Sequence, residues 1–289
     1  MTVCSDPAMD AKRLIKSALQ AGCTATAPIR PLPDYLIIGG QRCGTTALHD
    51  HLARHPAIGA AHVKEVHYFD LNHERGEGWY RGHFPNDVRR AVAQRRTGVE
   101  MLCGEASPYY LFHPLVPERV RALTPDARLI VLLRDPVARA LSHYHHEVAL
   151  GMEPLTFEEA LEAEPGRLDG EERRLVQFPG YVSVAHQHHS YVARGHYADQ
   201  LERWLEVFPR DQMLILVSED FFADTPGVVG QILDFLDLPP MPGDAGFQIP
   251  NARSYVEMAP STRRLLNDAF RDSNARLAEL LGREPGWPS

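Results

Sequence analysis

Short apolar runs alternate with amphipathic stretches along most of the chain. Tyr35-Leu36-Ile37-Ile38, Val99 to Cys103, Leu129 to Leu133 and Met213 to Val217 are continuous apolar segments of strand length, and Ala57 to Ala61 is a weaker one. Between them, Leu115 to Leu123, Val137 to Leu150 and Tyr197 to Phe208 place apolar residues at helical spacing. Strands that are apolar throughout, rather than alternating, are buried on both faces, and strands separated by helices join through right-handed crossovers. The pattern predicts an α/β fold: a central parallel sheet of about five strands flanked by helices as a three-layer sandwich.

Residues 1–33 read as an appended helix, with Leu14, Ile15, Ala18 and Leu19 on one face, and a linker through Pro28, Pro31 and Pro33. The main domain is therefore expected over 34–289. Gly151 to Gly180 is acidic and punctuated by Pro and Gly, which suits a surface insertion over a cleft, and Pro260 to Leu281 carries one long helical pattern.

Composition narrows the classes. A chain of 289 residues with 44% hydrophobic and 24% charged positions is globular, not fibrous or disordered. Thirty Lys and Arg against 38 Asp and Glu leave a charge of −8 without any basic run, which argues against nucleic acid as a partner. No segment has the roughly 20 apolar residues of a membrane span, and Met1 to Asp10 lacks the features of a secretory signal. Cys4, Cys23, Cys43 and Cys103 form no C-x-x-C pair, so reduced thiols, a cytoplasmic location and no membrane partner are expected.

The chemistry begins after the first apolar run. Gly39-Gly40-Gln41-Arg42-Cys43-Gly44-Thr45-Thr46 joins a strand to a helix, where glycines let the backbone approach oxygen atoms and the helix end adds roughly half a positive charge. Phosphate is the natural guest. Thr45 stands where a nucleoside-triphosphate binder has its Walker lysine, while Arg42 places a permanent cation just before Gly44, so one 5′ phosphate fits better than three. The same helix end beside Arg42 is a setting that lowers the pKa of Cys43, although a spectator role suits that thiol better. A second anion position is expected where Arg134 ends a strand and Asp135-Pro136 starts a helix carrying Ser142.

Gly39 through Leu48 resembles the 5′-phosphosulfate loop of sulfotransferases that use 3′-phosphoadenosine 5′-phosphosulfate (PAPS), in the branch with bacterial and glycosaminoglycan-modifying members. Lys64-Glu65-Val66-His67-Tyr68-Phe69, Gly78-Trp79-Tyr80, Gly104-Glu105-Ala106-Ser107-Pro108 and Leu133-Arg134-Asp135-Pro136 leading to Ser142 follow in the family's order. The resemblance implies a P-loop-like fold, PAPS as donor, its desulfated product PAP, and no required metal. It implies that Gln41, Arg42, Cys43, Gly44, Thr45 and Thr46 bind the 5′ end of the nucleotide and that Arg134 and Ser142 grip its 3′ phosphate. Glu65 matches the family's general base, a role that a raised carboxyl pKa would serve. His67 would orient Glu65, contact the acceptor, or take the base role itself.

Arg42 stands where many relatives have Lys and would steady charge on the leaving nucleotide by hydrogen bonding, since a guanidinium does not give up its proton. Arg253 alone agrees with a Lys-Gly-Arg loop that closes on PAPS in glycosaminoglycan-type relatives. Glu105-Ala106-Ser107-Pro108 lacks a lysine that some relatives use near the acceptor. With the negative net charge, this favours a small or neutral hydroxylated acceptor, such as a natural product, with an amine acceptor as the alternative, over a heparin-like polymer. The histidines at 143, 145, 146, 186, 188, 189 and 196 lack the carboxylates and cysteines of a metal site and are expected to line the acceptor cleft. The competing readings are a P-loop kinase using ATP and Mg²⁺, and a nucleotide-binding module without catalysis.

Overall fold

Strand β1, Tyr35–Gly39, is buried at every position because both of its faces are covered. Leu36 and Ile38 pack into one apolar layer with Tyr197, Leu201 and Trp204, while Tyr35 and Ile37 point into another with Leu48, Leu52, Val229 and Ile232. Each of these fully buried aliphatic side chains contributes about 1.5–3 kcal/mol relative to exposure. The computed structural model of the chain describes residues 22–242 and 258–288.

The other strands are β2 (Ile58–Ala60), β3 (Leu102–Ala106), β4 (Arg128–Leu133) and β5 (Met213–Val217). They form one five-stranded parallel sheet in the order β2-β3-β1-β4-β5. The described α-helices, in chain order, are α1 (Thr45–Leu52), α2 (Glu77–Arg81), α3 (Asp87–Thr97), α4 (Val116–Leu123), α5 (Pro136–Ala149) and α6 (Phe157–Leu168). They continue with α7 (Glu171–Gln177), α8 (Val184–His188), α9 (Tyr197–Leu205), α10 (Ser218–Ala223), α11 (Thr225–Phe235) and α12 (Pro260–Leu281). Helices α1 and α11 cover one face of the sheet, and α4, α9 and the end of α12 cover the other. The α/β three-layer architecture expected from the apolar pattern is the one the chain adopts.

One expectation needs correction. The third strand lies at Leu102–Ala106 and not at Val99 to Cys103, because Gly104, Glu105 and Ala106 pair with Tyr35, Leu36 and Ile37. A glutamate inside a central strand is tolerated since Tyr80 Oη, Tyr110 Oη and Ser107 Oγ donate to its carboxylate at 2.8, 2.8 and 2.7 Å. Residues 151–180, read from the sequence as a surface insertion, are largely helical as α6 and α7. A reciprocal cap starts α6: Thr156 Oγ1 accepts from the Glu159 N–H, and Glu159 Oε2 accepts from the Thr156 N–H. The helix expected at Leu14 to Leu19 lies outside the described residues. Part of the Pro/Ala linker forms a short 3₁₀ turn at Ala27–Ile29, and Arg81 ties it down by donating to the Arg30 carbonyl at 2.6 Å.

Candidate active site

The carboxyl edge of β1 leads into the glycine loop, and the carboxyl edge of its neighbour β4 leads into α5. This adjacency brings the two expected anion positions together. Arg42 Nε donates to Ser142 Oγ at 3.2 Å, and Arg134 Nη1 reaches the Arg42 carbonyl at 3.5 Å. Asp135 caps α5 by accepting from the Val137 and Ala138 amides, with Pro136 at the first helical position, as the sequence predicts.

Gly44 begins α1 with φ = 94°, a conformation open to glycine, and the helix has no side-chain cap. Its first-turn amides therefore suit an anion. An added Cβ on Gly44 would also stand 2.8 Å from Phe222, so the loop has no room for a larger residue. Thr45 is buried and Thr46 exposed. Cys43 is turned into the core. Its Sγ lies 3.8 Å from Tyr197 Oη, its carbonyl accepts from Ser218 Oγ, and burial pushes its thiol up to about 11. The expectation of a lowered thiol pKa fails because burial outweighs the positive surroundings.

The second half of the site hangs from the end of β3. Glu65 N–H donates to the Ala106 carbonyl at 3.1 Å and His67 N–H to Ser107 Oγ at 3.1 Å, which places Lys64–Phe69 beside the glycine loop's strand. Tyr110 Oη then accepts from the Tyr68 and Phe69 amides, so buried Glu105 anchors this segment through Tyr110. Arg42, Glu65 and His67 all have left-handed backbones, at φ = 67°, 59° and 53°. Each such residue costs of order 1–3 kcal/mol and persists only where surrounding contacts impose it, a pattern concentrated at functional sites.

Around Glu65 the charges form a chain. Lys64 Nζ bonds Glu65 Oε1, His67 Nε2 stands 3.4 Å from Glu65 Oε2, and His67 Nδ1 stands 2.7 Å from Asp70 Oδ2. Burial acts against both charges, yet the hydrogen bonds and opposite charges prevail. His67 is raised to about 10, chiefly by Asp70 and then Glu65, and Glu65 is lowered to about 2 by His67 and Lys64. The expected upward shift of Glu65 is thus reversed, because its neighbours are cations.

Sequence reasoning missed Asp70 and Arg194. The His-x-x-Asp spacing from His67 was an available signal for Asp70. Nothing local distinguishes Arg194, which the fold buries against the loop, with Nη1 donating to Gln41 Oε1. Of the histidines expected to line a cleft, His143 and His186 are instead buried. His143 lies 3.2 Å from Glu147, and His186 stacks on Phe112 and bonds Tyr109 Oη at 2.7 Å. Arg253 lies outside the described residues.

The family model described as a sulfotransferase domain matches residues 32–249. Membrane-associated sulfotransferase kil1 of Dictyostelium discoideum is 28% identical across 89% of this chain and 66% of its own length. Heparan sulfate glucosamine 3-O-sulfotransferase 6 of Homo sapiens is 27% identical across 89% and 74%. The chain thus spans about two thirds to three quarters of these relatives. The crystal structure of a sulfotransferase from Alicyclobacillus acidocaldarius superposes with a TM-score of 0.65 at 31% identity, over 88% of this chain and 97% of that one. Sulfotransferase STF9 of Mycobacterium avium, 14% identical with a TM-score of 0.53 over 88% and 80%, shares the fold. With the sulfotransferase-domain model matched across most of its length, the chain belongs to the sulfotransferase family.

Proposed function

We propose that this protein transfers a sulfuryl group from PAPS to a hydroxyl of a small, neutral acceptor, with residues 34–289 as the catalytic domain and Glu65 as the general base. The observation that carries the reading is the convergence of Arg42, Arg134 and Ser142 on an uncapped helix start. Two anion positions on neighbouring strands fit a nucleotide bearing phosphates at both ends of one ribose, and the residues present fit PAPS in that respect. When bound, PAPS supplies the activated sulfuryl group. Gln41 to Thr46 would hold its 5′ end by loop donors, and Arg134 with Ser142 would hold its 3′ phosphate. Arg42 steadies negative charge on the departing nucleotide as a fixed cation.

On this reading Glu65 accepts the acceptor's proton at a carboxylate oxygen. His67, protonated between two carboxylates at neutral pH, is a donor that aligns Glu65, which favours Glu65 over His67 as the base. Asp70 fixes the imidazole. A kinase reading is disfavoured by Thr45 at the position of the Walker lysine.

The preference for a small acceptor rests on charge. Two relatives are named for heparan sulfate, a polyanion, whereas this chain carries a net charge of −8 and has no lysine in Glu105-Ala106-Ser107-Pro108. A cytosolic setting accords with Cys23, Cys43 and Cys103 all being free thiols. Among the described residues, no helix is long and apolar enough to cross a membrane. The test is calorimetric titration with 3′,5′-ADP against ATP-Mg²⁺, followed by labelled PAPS with small alcohols, phenols and sulfated polysaccharides. Binding of 3′,5′-ADP and labelling of small acceptors supports the reading. Preference for ATP-Mg²⁺ overturns the donor, and labelling of the polysaccharide alone overturns the acceptor.

A further inference from the structure

Arg194 sits in a 3₁₀ turn at Ala193–Gly195 and is 4% exposed. Every bonded partner of its guanidinium is neutral. Nε donates to Ser190 Oγ at 2.8 Å, Nη2 donates to the His186 and Gln187 carbonyls at 3.0 and 2.6 Å, and Nη1 donates to Gln41 Oε1. The rings of Tyr109 and Phe112 lie 4.7 and 5.1 Å from its central carbon. Among the described residues no carboxylate pairs with it. Glu147 and Glu164, the acidic groups that act on it from a distance, are engaged elsewhere, Glu147 with His143 and His188 and Glu164 with the Val192 and Ala193 amides. The turn packs closely on the Phe270 ring, which an added Cβ on Gly195 would meet at 2.3 Å.

A buried cation held only by neutral groups carries a desolvation cost of several kcal/mol, which the aromatic faces and carbonyls offset in part. Merely tying the turn to its surroundings does not require charge. What the charge does reach is the glycine loop. A guanidinium only donates, so the Gln41 amide oxygen must face it, which leaves Nε2 as the end of that side chain available to an anionic oxygen. Gln41 directly precedes Arg42, whose strained backbone sets the Nε contact to Ser142.

We propose that Arg194 is a positioning residue for donor binding: through Gln41 it holds the loop and Arg42 in the anion-accepting arrangement and orients the Gln41 amide as a donor. The proposal rests on the nucleotide reading above. It is tested in the full chain with Arg194→Met, Arg194→Lys, Gln41→Ala and the Arg194→Met/Gln41→Ala double variant, by titration with 3′,5′-ADP, by thermal midpoint and by acceptor KM. Arg194→Met is expected to weaken nucleotide binding about threefold and Gln41→Ala, which removes both the tether and the amide donor, about tenfold. The double variant is expected to be no weaker than Gln41→Ala within about twofold, since Arg194 acts through the same contact. Arg194→Lys, which keeps the charge without the fork, should fall between wild type and Arg194→Met, and acceptor KM should stay unchanged.

Nucleotide affinity within about twofold of wild type in Arg194→Met, or additive losses in the double variant, overturns the proposal even if the thermal midpoint falls. If Arg194→Met does not fold, unchanged affinity in Gln41→Ala overturns it, and a loss there matched by a partial loss in Arg194→Lys upholds it. Failure of the wild type to bind 3′,5′-ADP would instead overturn the nucleotide reading and this inference with it.

Discussion

Nδ1 of His67 stands 2.7 Å from Oδ2 of Asp70, whose side chain has no exposed surface, and the other Asp70 oxygen accepts from the Leu71 amide at 2.6 Å. The carboxylate is thus fixed before the imidazole meets it. Asp70→Asn removes the charge and keeps the shape. It is expected to lower kcat about tenfold or more, to move the alkaline limb of the pH–rate profile down, and to leave 3′,5′-ADP affinity unchanged. Steady-state kinetics across pH would check all three.

Replacement of Glu65 by Gln should remove the proton acceptor while preserving hydrogen-bonding size. A kcat loss of about 10²–10⁴ is expected, with nucleotide affinity within about twofold of wild type. Full activity in Glu65→Gln would assign the base elsewhere.

The charge chain also makes stability depend on pH. His67 has a folded pKa of about 10 against an ordinary 6.5, so its contribution is complete below 6.5 and disappears as pH rises through about 10. Glu65, at about 2 against 4.5, contributes fully above 4.5 and loses its contribution as pH falls through about 2. Thermal unfolding of wild type and His67→Gln should therefore differ most between pH 4.5 and 6.5, with the gap closing toward pH 10. A gap that widens with rising pH would contradict the ion-pair arrangement.

Ser142→Ala removes the hydroxyl that Arg42 Nε meets at 3.2 Å and that the 3′ phosphate is proposed to use. A hydrogen bond to a charged group contributes about 1.5–3 kcal/mol, so 3′,5′-ADP should bind about tenfold weaker or worse. Adenosine 5′-phosphate, which lacks the 3′ group, should be affected little, and equal losses for both nucleotides would exclude Ser142 from the 3′ position.

Glu105→Ala would leave the hydroxyls of Tyr80, Tyr110 and Ser107 without their shared acceptor in the core. About 2–4 kcal/mol of stability should be lost in chemical denaturation. Because Tyr110 also receives the Tyr68 and Phe69 amides, activity should fall in the folded variant as well.

What the sequence determined by itself was the layered fold and the loop. Apolar runs of strand length between amphipathic helices specify a doubly covered parallel sheet by burial alone, and glycines before Thr45-Thr46 specify a strand-to-helix turn by local backbone geometry. Asp135-Pro136 marked the start of α5 for the same local reason. The motifs around Glu65, Arg134 and Ser142 were legible as a resemblance, but only the strand order set them on adjacent edges, because pairing between β1, β3 and β4 joins segments far apart in the chain. Electrostatics also belonged to the tertiary structure. The low pKa of Glu65, the high one of His67 and the raised one of Cys43 depend on which charges and how much apolar matter packing brings within a few ångströms. Glu105 in a central strand and Arg194 behind the loop follow the same rule: a charged residue can be buried where distant partners satisfy it, and their convergence exists only once the chain has folded.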